Sequence, residues 1–305
     1  ELERIHGTRI DLSELHTVYF AYVEKCERFV RLHGKAQFSQ GGLCHDVIDV
    51  VAKHGVVPAE SYSGLLDGER VHDHTELEQV LAAVIAPIAE SQRPSEHWKG
   101  AVRGVLDAYM GAVPETVEVD GKTETPLEYA HEDLRIPVDD YVQLMSFESQ
   151  PFWKQCQLLV PDNWQLCGDY WNVPIETMLA NLDHALREGF TVAVDMDVSE
   201  PGTFNREHVW KMPDELEQDG AITDAMRQHW FDDRETTDDH LMHIVGISKD
   251  EDGRLFYLTK NSHGSGGPFA GHLYMSRNYV AAKMLSFMVH KDGLDPATLA
   301  RTGGS

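Results

Sequence analysis

The sequence is poor in cysteine, and this scarcity argues against one class of fold. The chain has 305 residues and 4 cysteines, which are Cys26, Cys44, Cys156 and Cys167. They form no Cys-x-x-Cys pair, and they are too few for a disulfide scaffold. A bridge between Cys156 and Cys167 in an oxidising compartment stays open at this point.

Basic residues and long apolar runs are also scarce. The chain has 26 Lys and Arg against 51 Asp and Glu, a formal net charge of −25, which argues against a nucleic-acid partner because phosphate binding needs clustered cations. The acidic excess indicates either a solubility trait or attraction of substrates with a positively charged amino terminus. No run approaches the roughly 18 apolar residues of a membrane span, so no membrane partner is predicted. The cytoplasm is the favoured compartment, and the cell envelope stays open.

The remaining composition is typical of a globular protein with a sizeable core. Hydrophobic residues make up 42% of the chain and charged residues 25%, which predicts one or two domains. The 17 histidines include His72-x-His74 and His240-x-x-His243, but neither the Cys/His clusters of structural zinc nor the His-Glu-x-x-His helix of catalytic zinc is present. We therefore predict no metal site and no cofactor.

Helical patterns occupy the first part of the chain. A capping box at Asp11–Glu14 opens a helix that runs to about Arg31, and Cys26 falls on its apolar stripe as a structural thiol. A second helix is predicted from Leu43 to His54, where Gly55 and Pro58 end it. Residues 74–111 read as two helices broken near Pro94, and residues 174–188 as a further helix. Strand patterns dominate after Gly189.

One His and one Asn lie at the facing ends of two predicted strands. His240 begins a strand, the turn at 250–253 closes a hairpin, and Asn261 ends the returning strand. Because the strands of a tight hairpin are antiparallel neighbours, the start of one faces the end of the other. An imidazole held by a polar partner is the general-base half of a thiol-nucleophile site. His243 points to the opposite face and is predicted to be structural.

The motifs around this pair resemble the papain-like cysteine peptidases. Gly189–Asp195 is similar to the Val-Ala-Ile-Asp strand of that family, and Asp239–Gly246 is similar to its Asp-His strand. Its Asn-Ser-Trp-Gly strand end and its last core strand correspond to Tyr257–Gly264 and Gly271–Met275. Upstream, Ser39–Tyr62 resembles the family's Gly-Gly loop, the helix that follows it, and the Gly-(Val/Ile)-x-Pro-x-x-x-Tyr segment after that helix. The amino-acid sequence of residues 12–31 and the long helical segment after Tyr62 resemble the bleomycin hydrolase and aminopeptidase C branch more than papain itself.

The resemblance implies an α+β, two-lobe papain-like fold with a helical insertion, in one domain over 1–305. It divides the domain into a helical lobe at 1–62, an inserted helical and loop region at 63–188, an antiparallel β lobe at 189–291 and a tail at 292–305. The implied activity is that of a cysteine aminopeptidase with a peptide substrate and a possible homo-oligomeric state. In this site His240 deprotonates the thiol and Asn261 orients His240. Gly41 and Gly42 bind the backbone of the substrate.

The chain departs from the family pattern at two places. The family's Gly-x-Cys-Trp nucleophile motif and oxyanion Gln are expected upstream of Glu1, so only His240 and Asn261 of the site are expected here. His263 stands where the family has the Trp that shields the Asn–His pair. Two alternatives stay open. Cys44, near a helix amino terminus, is a candidate replacement nucleophile, and the whole chain is alternatively a non-catalytic paralogue that binds peptides or partners.

We predict that the 305-residue chain alone does not hydrolyse aminoacyl-coumarin substrates, because its nucleophile is expected upstream of Glu1. An epoxide inhibitor of thiol proteases should leave the chain unlabelled, as measured by intact mass. The control is Cys44→Ser. Labelling that this substitution abolishes would make Cys44 the nucleophile and overturn the prediction.

Overall fold

A computed structural model describes residues 2–66, 68–201, 203, 205–218, 220–262 and 264–303. The chain divides into two compact units. The helical unit comprises Leu2–Val138 and Pro161–Gln165, and the sheet unit comprises Asp139–Val160 and Leu166–Ser305. Among the described residues, no helix combines the length and the apolar character needed to cross a membrane.

The helical unit consists mainly of helices and the loops that join them. Its helices are α1 (Leu2–His6), α2 (Glu14–Arg31), α3 (Cys44–His54), α4 (Thr75–Glu90), α5 (His97–Met110) and the short α6 (Pro126–Glu128). A hairpin of β1 (Val117–Val119) and β2 (Lys122–Glu124) precedes α6. A single turn of π-helix follows α6 at Tyr129–Asp133.

Helix α2 ends where the sequence predicted, but Ser13 rather than Asp11 caps its start. The Ser13 hydroxyl accepts a hydrogen bond from the His16 amide at 3.1 Å, which satisfies one of the unpaired donors at the helix start. Cys26 lies on the buried stripe with 0% exposure. Burial raises the pKa of its thiol to about 12, so the thiol stays protonated near neutral pH. The prediction of a structural Cys26 is confirmed.

The core of the helical unit forms where α4 and α5 pack against α2. Apolar residues recur on α4 and α5 every three to four positions, which places them on one face of each helix. The fully buried members are Leu77, Leu81, Ile85, Val102 and Leu106. The break between the two helices lies at residues 91–96, in agreement with the predicted break near Pro94.

Helix α3 ends at a glycine that the local backbone requires. Gly55 has φ +73° and ψ −160°, a conformation that only glycine adopts without strain. A Cβ at this position would overlap the backbone carbonyl of Pro126. The Val56 amide donates to the same carbonyl at 3.1 Å, so the close approach also satisfies a backbone donor.

The sheet unit is built on one mixed sheet. Its strands are β3 (Tyr141–Met145), β4 (Lys154–Cys156), β5 (Tyr170–Asn172), β6 (Val192–Met196), β7 (Val209–Trp210), β8 (His240–Lys249), β9 (Leu255–Lys260), β10 (His272–Ser276) and β11 (Met284–His290). Among the described residues their order is β4-β5-β3-β11-β6-β8-β9-β10-β7. Only the pairs β3–β5 and β10–β7 are parallel there.

Four helices of the described chain belong to the sheet unit, namely α7 (Ile175–Arg187), α8 (Asp224–Asp232), α9 (Arg277–Lys283) and α10 (Pro296–Arg301). Helix α7 is amphipathic, and its residues Met178 and Leu182 are fully buried. They belong to the same apolar core as Val192 and Val194 of β6. This core holds the centre of the sheet, where β6 and β8 pair.

The sheet includes residues that the family resemblance assigns to the insertion. The resemblance places an inserted helical and loop region at 63–188, and the structure divides these residues between both units. Strands β4 and β5 have only 3 residues each, which is too short to show the alternation that marks a strand. The predicted tail at 292–305 also contains helix α10, which Asp295 caps through its side chain.

We predict that Gly55→Ala destabilises the protein more than Gly189→Ala. Both glycines follow a helix with positive φ, but a Cβ on Gly189 would meet nothing within 4 Å. Gly189→Ala should therefore cost only backbone strain, about 1 kcal/mol. Gly55→Ala adds overlap with Pro126, for a total of about 3 kcal/mol or more. Urea unfolding of both variants measures the difference, and equal costs would contradict the overlap at Gly55.

Candidate active site

The hairpin of β8 and β9 brings His240 and Asn261 together. His240 is the first residue of β8, and Asn261 directly follows the last residue of β9. The register pairs His243 with Lys260, so the start of one strand lies beside the end of the other. The His240 Nε2 and Asn261 Oδ1 atoms are 2.9 Å apart. The predicted proximity of these two side chains is therefore observed.

The orientation of the Asn261 amide assigns the protons of this pair. The Ser262 backbone amide donates to Asn261 Oδ1 at 2.7 Å, and only the oxygen of an amide accepts a hydrogen bond. The His240 nitrogen that meets Oδ1 must therefore donate, so Nε2 carries a proton. In the neutral imidazole Nδ1 then carries the lone pair. The Asn261 backbone N–H also donates to the Gly271 carbonyl at 3.1 Å, which fixes the end of the strand.

A buried ion pair anchors the segment that leads into His240. The Lys283 ammonium lies at the end of α9 with 1% exposure, 3.1 Å from Asp197 Oδ2 and 2.6 Å from Glu200 Oε1. It also donates to the Glu235 carbonyl at 2.8 Å. No local sequence pattern marks this contact, because the partners are far apart along the chain.

The Asp197 carboxylate accepts donors from both sides of its own turn. The Ser199 amide donates to Oδ1 at 2.7 Å, and the Thr237 amide donates to Oδ2 at 3.4 Å. Burial raises the pKa of Asp197, but these hydrogen bonds and the Lys283 ammonium outweigh burial and hold that pKa below its usual value. Asp239, directly before His240, accepts from the Val198 amide at 3.2 Å. The turn after β6 and the segment before β8 are thus tied together.

His243 has a different environment from His240. It is partly buried on β8, and burial together with Lys260 and His272 lowers the pKa of its imidazole to about 4. A neutral, desolvated ring agrees with the structural role that was predicted for it. No group of three His, Cys, Asp or Glu side chains in the described part of the chain is placed to hold a metal ion.

Two buried side chains hold the Gly41–Gly42 loop in the helical unit. Lys25, 4% exposed, donates from Nζ to the carbonyls of Ser39 and Gly41. On the other side, Asp46 Oδ2 accepts from the Leu43 amide at 2.9 Å. The loop therefore has a fixed backbone before α3 begins.

A carboxylate side chain lies beside each glycine of this loop. A Cβ on Gly42 would lie 2.8 Å from Asp46 Oδ2. The Asp162 carboxylate occupies the position that a Cβ on Gly41 would take. Sequence reasoning selected the two glycines but missed Asp46 and Asp162. Asp46 lies in the first turn of α3 and could have been found as a helix-capping residue, whereas nothing local marks Asp162.

The other candidates from the sequence are the cysteines and His263. Cys44 is the first residue of α3 and is 6% exposed. Burial raises the pKa of the Cys156 thiol. No disulfide joins Cys156 to Cys167 or involves either of the other cysteines, so the bridge left open above is not formed. His263 lies outside the residues that the structure describes.

Comparison with known proteins adds a family and a fold. A model of the Peptidase C1-like family matches residues 117–302. Aminopeptidase G of Lactobacillus delbrueckii subsp. lactis is 24% identical over 299 residues, which cover 87% of this chain and 66% of that protein. The chain thus spans slightly less than two thirds of that relative. The crystal structure of PepW from Lactobacillus rhamnosis is similar with a TM-score of 0.74 at 16% identity, over 99% of this chain and 77% of that one. The predicted papain-like α+β fold is confirmed.

We predict that Lys283→Met destabilises the protein by about 3–5 kcal/mol, because it leaves the Asp197 carboxylate buried without its counter-charge. Adding Asp197→Asn to this variant should recover part of the loss. Urea unfolding of the two single variants and the double variant measures the coupling. Lys291→Met is the control, because the Lys291–Asp140 pair is at the surface and should change stability little. Additive costs at Lys283 and Asp197 would contradict the coupling.

Proposed function

Because this chain belongs to the Peptidase C1-like family, we propose that it acts as a cysteine-type aminopeptidase with His240 as general base and Asn261 as its orienting partner. The observation that carries the proposal is the 2.9 Å contact between His240 Nε2 and Asn261 Oδ1. That contact holds the ring in the tautomer whose Nδ1 can take a proton. The turn tied to Lys283 supports the position of His240.

The nucleophile in this proposal is a cysteine upstream of Glu1, in the Gly-x-Cys-Trp motif of the family. Cys26 does not suit the role, because burial holds its pKa near 12 and a thiol attacks only as thiolate. Cys44 is more than nine-tenths buried, which disfavours access of a substrate. This chain spans 66% of Aminopeptidase G, so a protein of that length has room for such a segment.

The proposed reaction divides peptide hydrolysis into two acyl transfers. His240 Nδ1 takes the thiol proton, and the thiolate attacks the carbonyl carbon of the substrate. The tetrahedral intermediate collapses as the C–N bond breaks, and Nδ1–H protonates the leaving amine. A water molecule, deprotonated by Nδ1, then attacks the thioester carbon. The C–S bond breaks, the proton on His240 restores the thiol, and the product leaves as a carboxylic acid that gives its own proton to solvent.

Asn261 acts in this scheme through His240. The Nε2–H···Oδ1 bond is present in the neutral imidazole and strengthens when the ring becomes cationic, because a charged donor makes a stronger hydrogen bond. The second donor on Oδ1, the Ser262 amide, keeps the oxygen in place while the ring changes charge. Loss of Asn261 should therefore weaken catalysis without removing the base.

Gly41 and Gly42 are proposed to bind the substrate backbone. Lys25 and Asp46 fix the loop, and the Lys25 ammonium occupies the Gly41 carbonyl. We therefore assign the pairing with an extended peptide, as an added strand, to the other backbone N–H and C=O groups of the two glycines. The name of Aminopeptidase G supports an aminopeptidase specificity for this chain.

We predict that His240→Ala lowers kcat/KM by at least about a hundredfold, because it removes the general base. The rate is that of the full-length protein, meaning the chain together with the upstream segment that carries the proposed cysteine. Asn261→Ala should lower it less, by roughly tenfold. The measurement is hydrolysis of aminoacyl-coumarin substrates across a series of pH values. His229→Ala, on the exposed face of α8, is the control and should leave the rate unchanged.

Two outcomes would count against the proposal. A His240→Ala variant with the rate of the unsubstituted protein would remove His240 from the mechanism. A full-length protein that binds peptides but hydrolyses none of them would support the non-catalytic alternative. Thermal unfolding of each variant separates loss of activity from loss of fold.

A further inference from the structure

One carboxylate reaches the proposed substrate loop from a distant part of the sequence. Asp162 lies in the segment Pro161–Gln165, which belongs to the helical unit. Its Oδ2 atom occupies the space beside Gly41 where any other residue would place a Cβ. The carboxylate therefore lies directly on the backbone that we propose binds the substrate.

The segment that carries Asp162 is held firmly. The Trp164 indole nitrogen donates to Asp46 Oδ2 at 2.8 Å, and Gln165 Nε2 donates to Asp46 Oδ1 at 2.9 Å. Gln37 Nε2 donates to Asp162 Oδ1 at 2.8 Å. Only Oδ1 of Asp162 receives this amide, and Oδ2 is the oxygen that faces Gly41.

The charges around the loop leave an excess of negative charge. Lys25 is the nearby cation, and its ammonium donates to the carbonyls of Ser39 and Gly41. Three carboxylates, those of Asp46, Asp162 and Glu78, interact electrostatically with this ammonium. Burial, together with the Asp46 charge, raises the pKa of Asp162 despite the Lys25 ammonium. The Lys25 ammonium balances the negative charge of this half-buried carboxylate only in part. An incoming cation is therefore attracted to it.

We propose that Asp162 binds the free α-ammonium group of a peptide and so makes the Gly41–Gly42 loop selective for unblocked amino termini. This inference rests on the substrate-binding role proposed for Gly41 and Gly42. An α-ammonium offers three N–H donors and a positive charge, and a charge-assisted hydrogen bond to a carboxylate is stronger than a neutral one. An N-acetylated peptide has neither the charge nor the geometry. The acidic surface of the chain, with its net charge of −25, would also attract cationic amino termini.

A purely structural role for Asp162 makes a different prediction. Its contact with Gln37 needs only an oxygen acceptor, which Asn also supplies. Asp162→Asn should therefore keep the loop and lose the ammonium contact, whereas Asp162→Glu should keep the negative charge. Glu118→Gln removes one charge from the exposed side of β1 in the same unit and is the matched control for net charge.

The experiment measures binding, so that it does not depend on catalysis. Calorimetric titration of the 305-residue chain compares a dipeptide amide with its N-acetyl form, for the unsubstituted chain and the three variants. We expect the unblocked dipeptide to bind more tightly, and Asp162→Asn to reduce that preference by about tenfold or more. Asp162→Glu should retain part of the preference, and Glu118→Gln should retain it fully. Thermal unfolding checks that every variant is folded.

Equal binding of both peptides by the unsubstituted chain would overturn the proposal. An unchanged preference in a folded Asp162→Asn variant would also overturn it. Hydrolysis by the full-length protein is a separate measurement. Activity with an unchanged preference in Asp162→Asn would reject Asp162 and leave the proposed function intact. A lost preference in a protein that hydrolyses nothing would reject the peptidase and retain the ammonium site.

Discussion

The position of His240 depends on the buried ion pair between Lys283 and Asp197. Burying two charges is unfavourable unless nearly all their hydrogen-bonding capacity is used. Here the ammonium contacts two carboxylates and a backbone carbonyl, and the Asp197 carboxylate accepts two backbone amides. These contacts join the end of α9, the turn after β6 and the segment before β8. Few other arrangements of this segment would satisfy both charges, so the pair specifies where β8 begins.

The helical unit uses the same device at a different loop. Lys25 is also a buried lysine, but its ammonium binds backbone carbonyls at Ser39 and Gly41. Asp46 completes the arrangement by accepting the Leu43 amide and the Trp164 indole. In each unit, a buried cation and a carboxylate hold an irregular segment whose backbone has no sheet partner. Each segment carries or adjoins residues to which we assign a function, which agrees with the need for a rigid support around catalytic and binding groups.

The hairpin with His240 and Asn261 could be predicted from the sequence because its signals are local. The turn at Asp250–Gly253 and the strands beside it specify which residues face each other. The apolar spacing of helix α2 is likewise local, although Ser13 rather than the predicted Asp11 caps its start. Asp162 and the Lys283–Asp197 pair could not be predicted, because they depend on contacts between residues far apart along the chain. The bounds of the short strands β4 and β5 could not be predicted, because three residues show no periodicity and pairing with neighbouring strands decides their conformation.

The order of the sheet has a consequence for behaviour at high protein concentration. In the described part of the chain its two borders are β4 and β7, with 3 and 2 residues. A border strand exposes unpaired amides and carbonyls that can recruit another chain into a continuous ribbon. Such short borders offer too few of these groups for a stable intermolecular ladder. The long, apolar strands β6, β8 and β11 lie in the interior of the sheet, so the segments most prone to fibril formation have no open side while the unit remains folded.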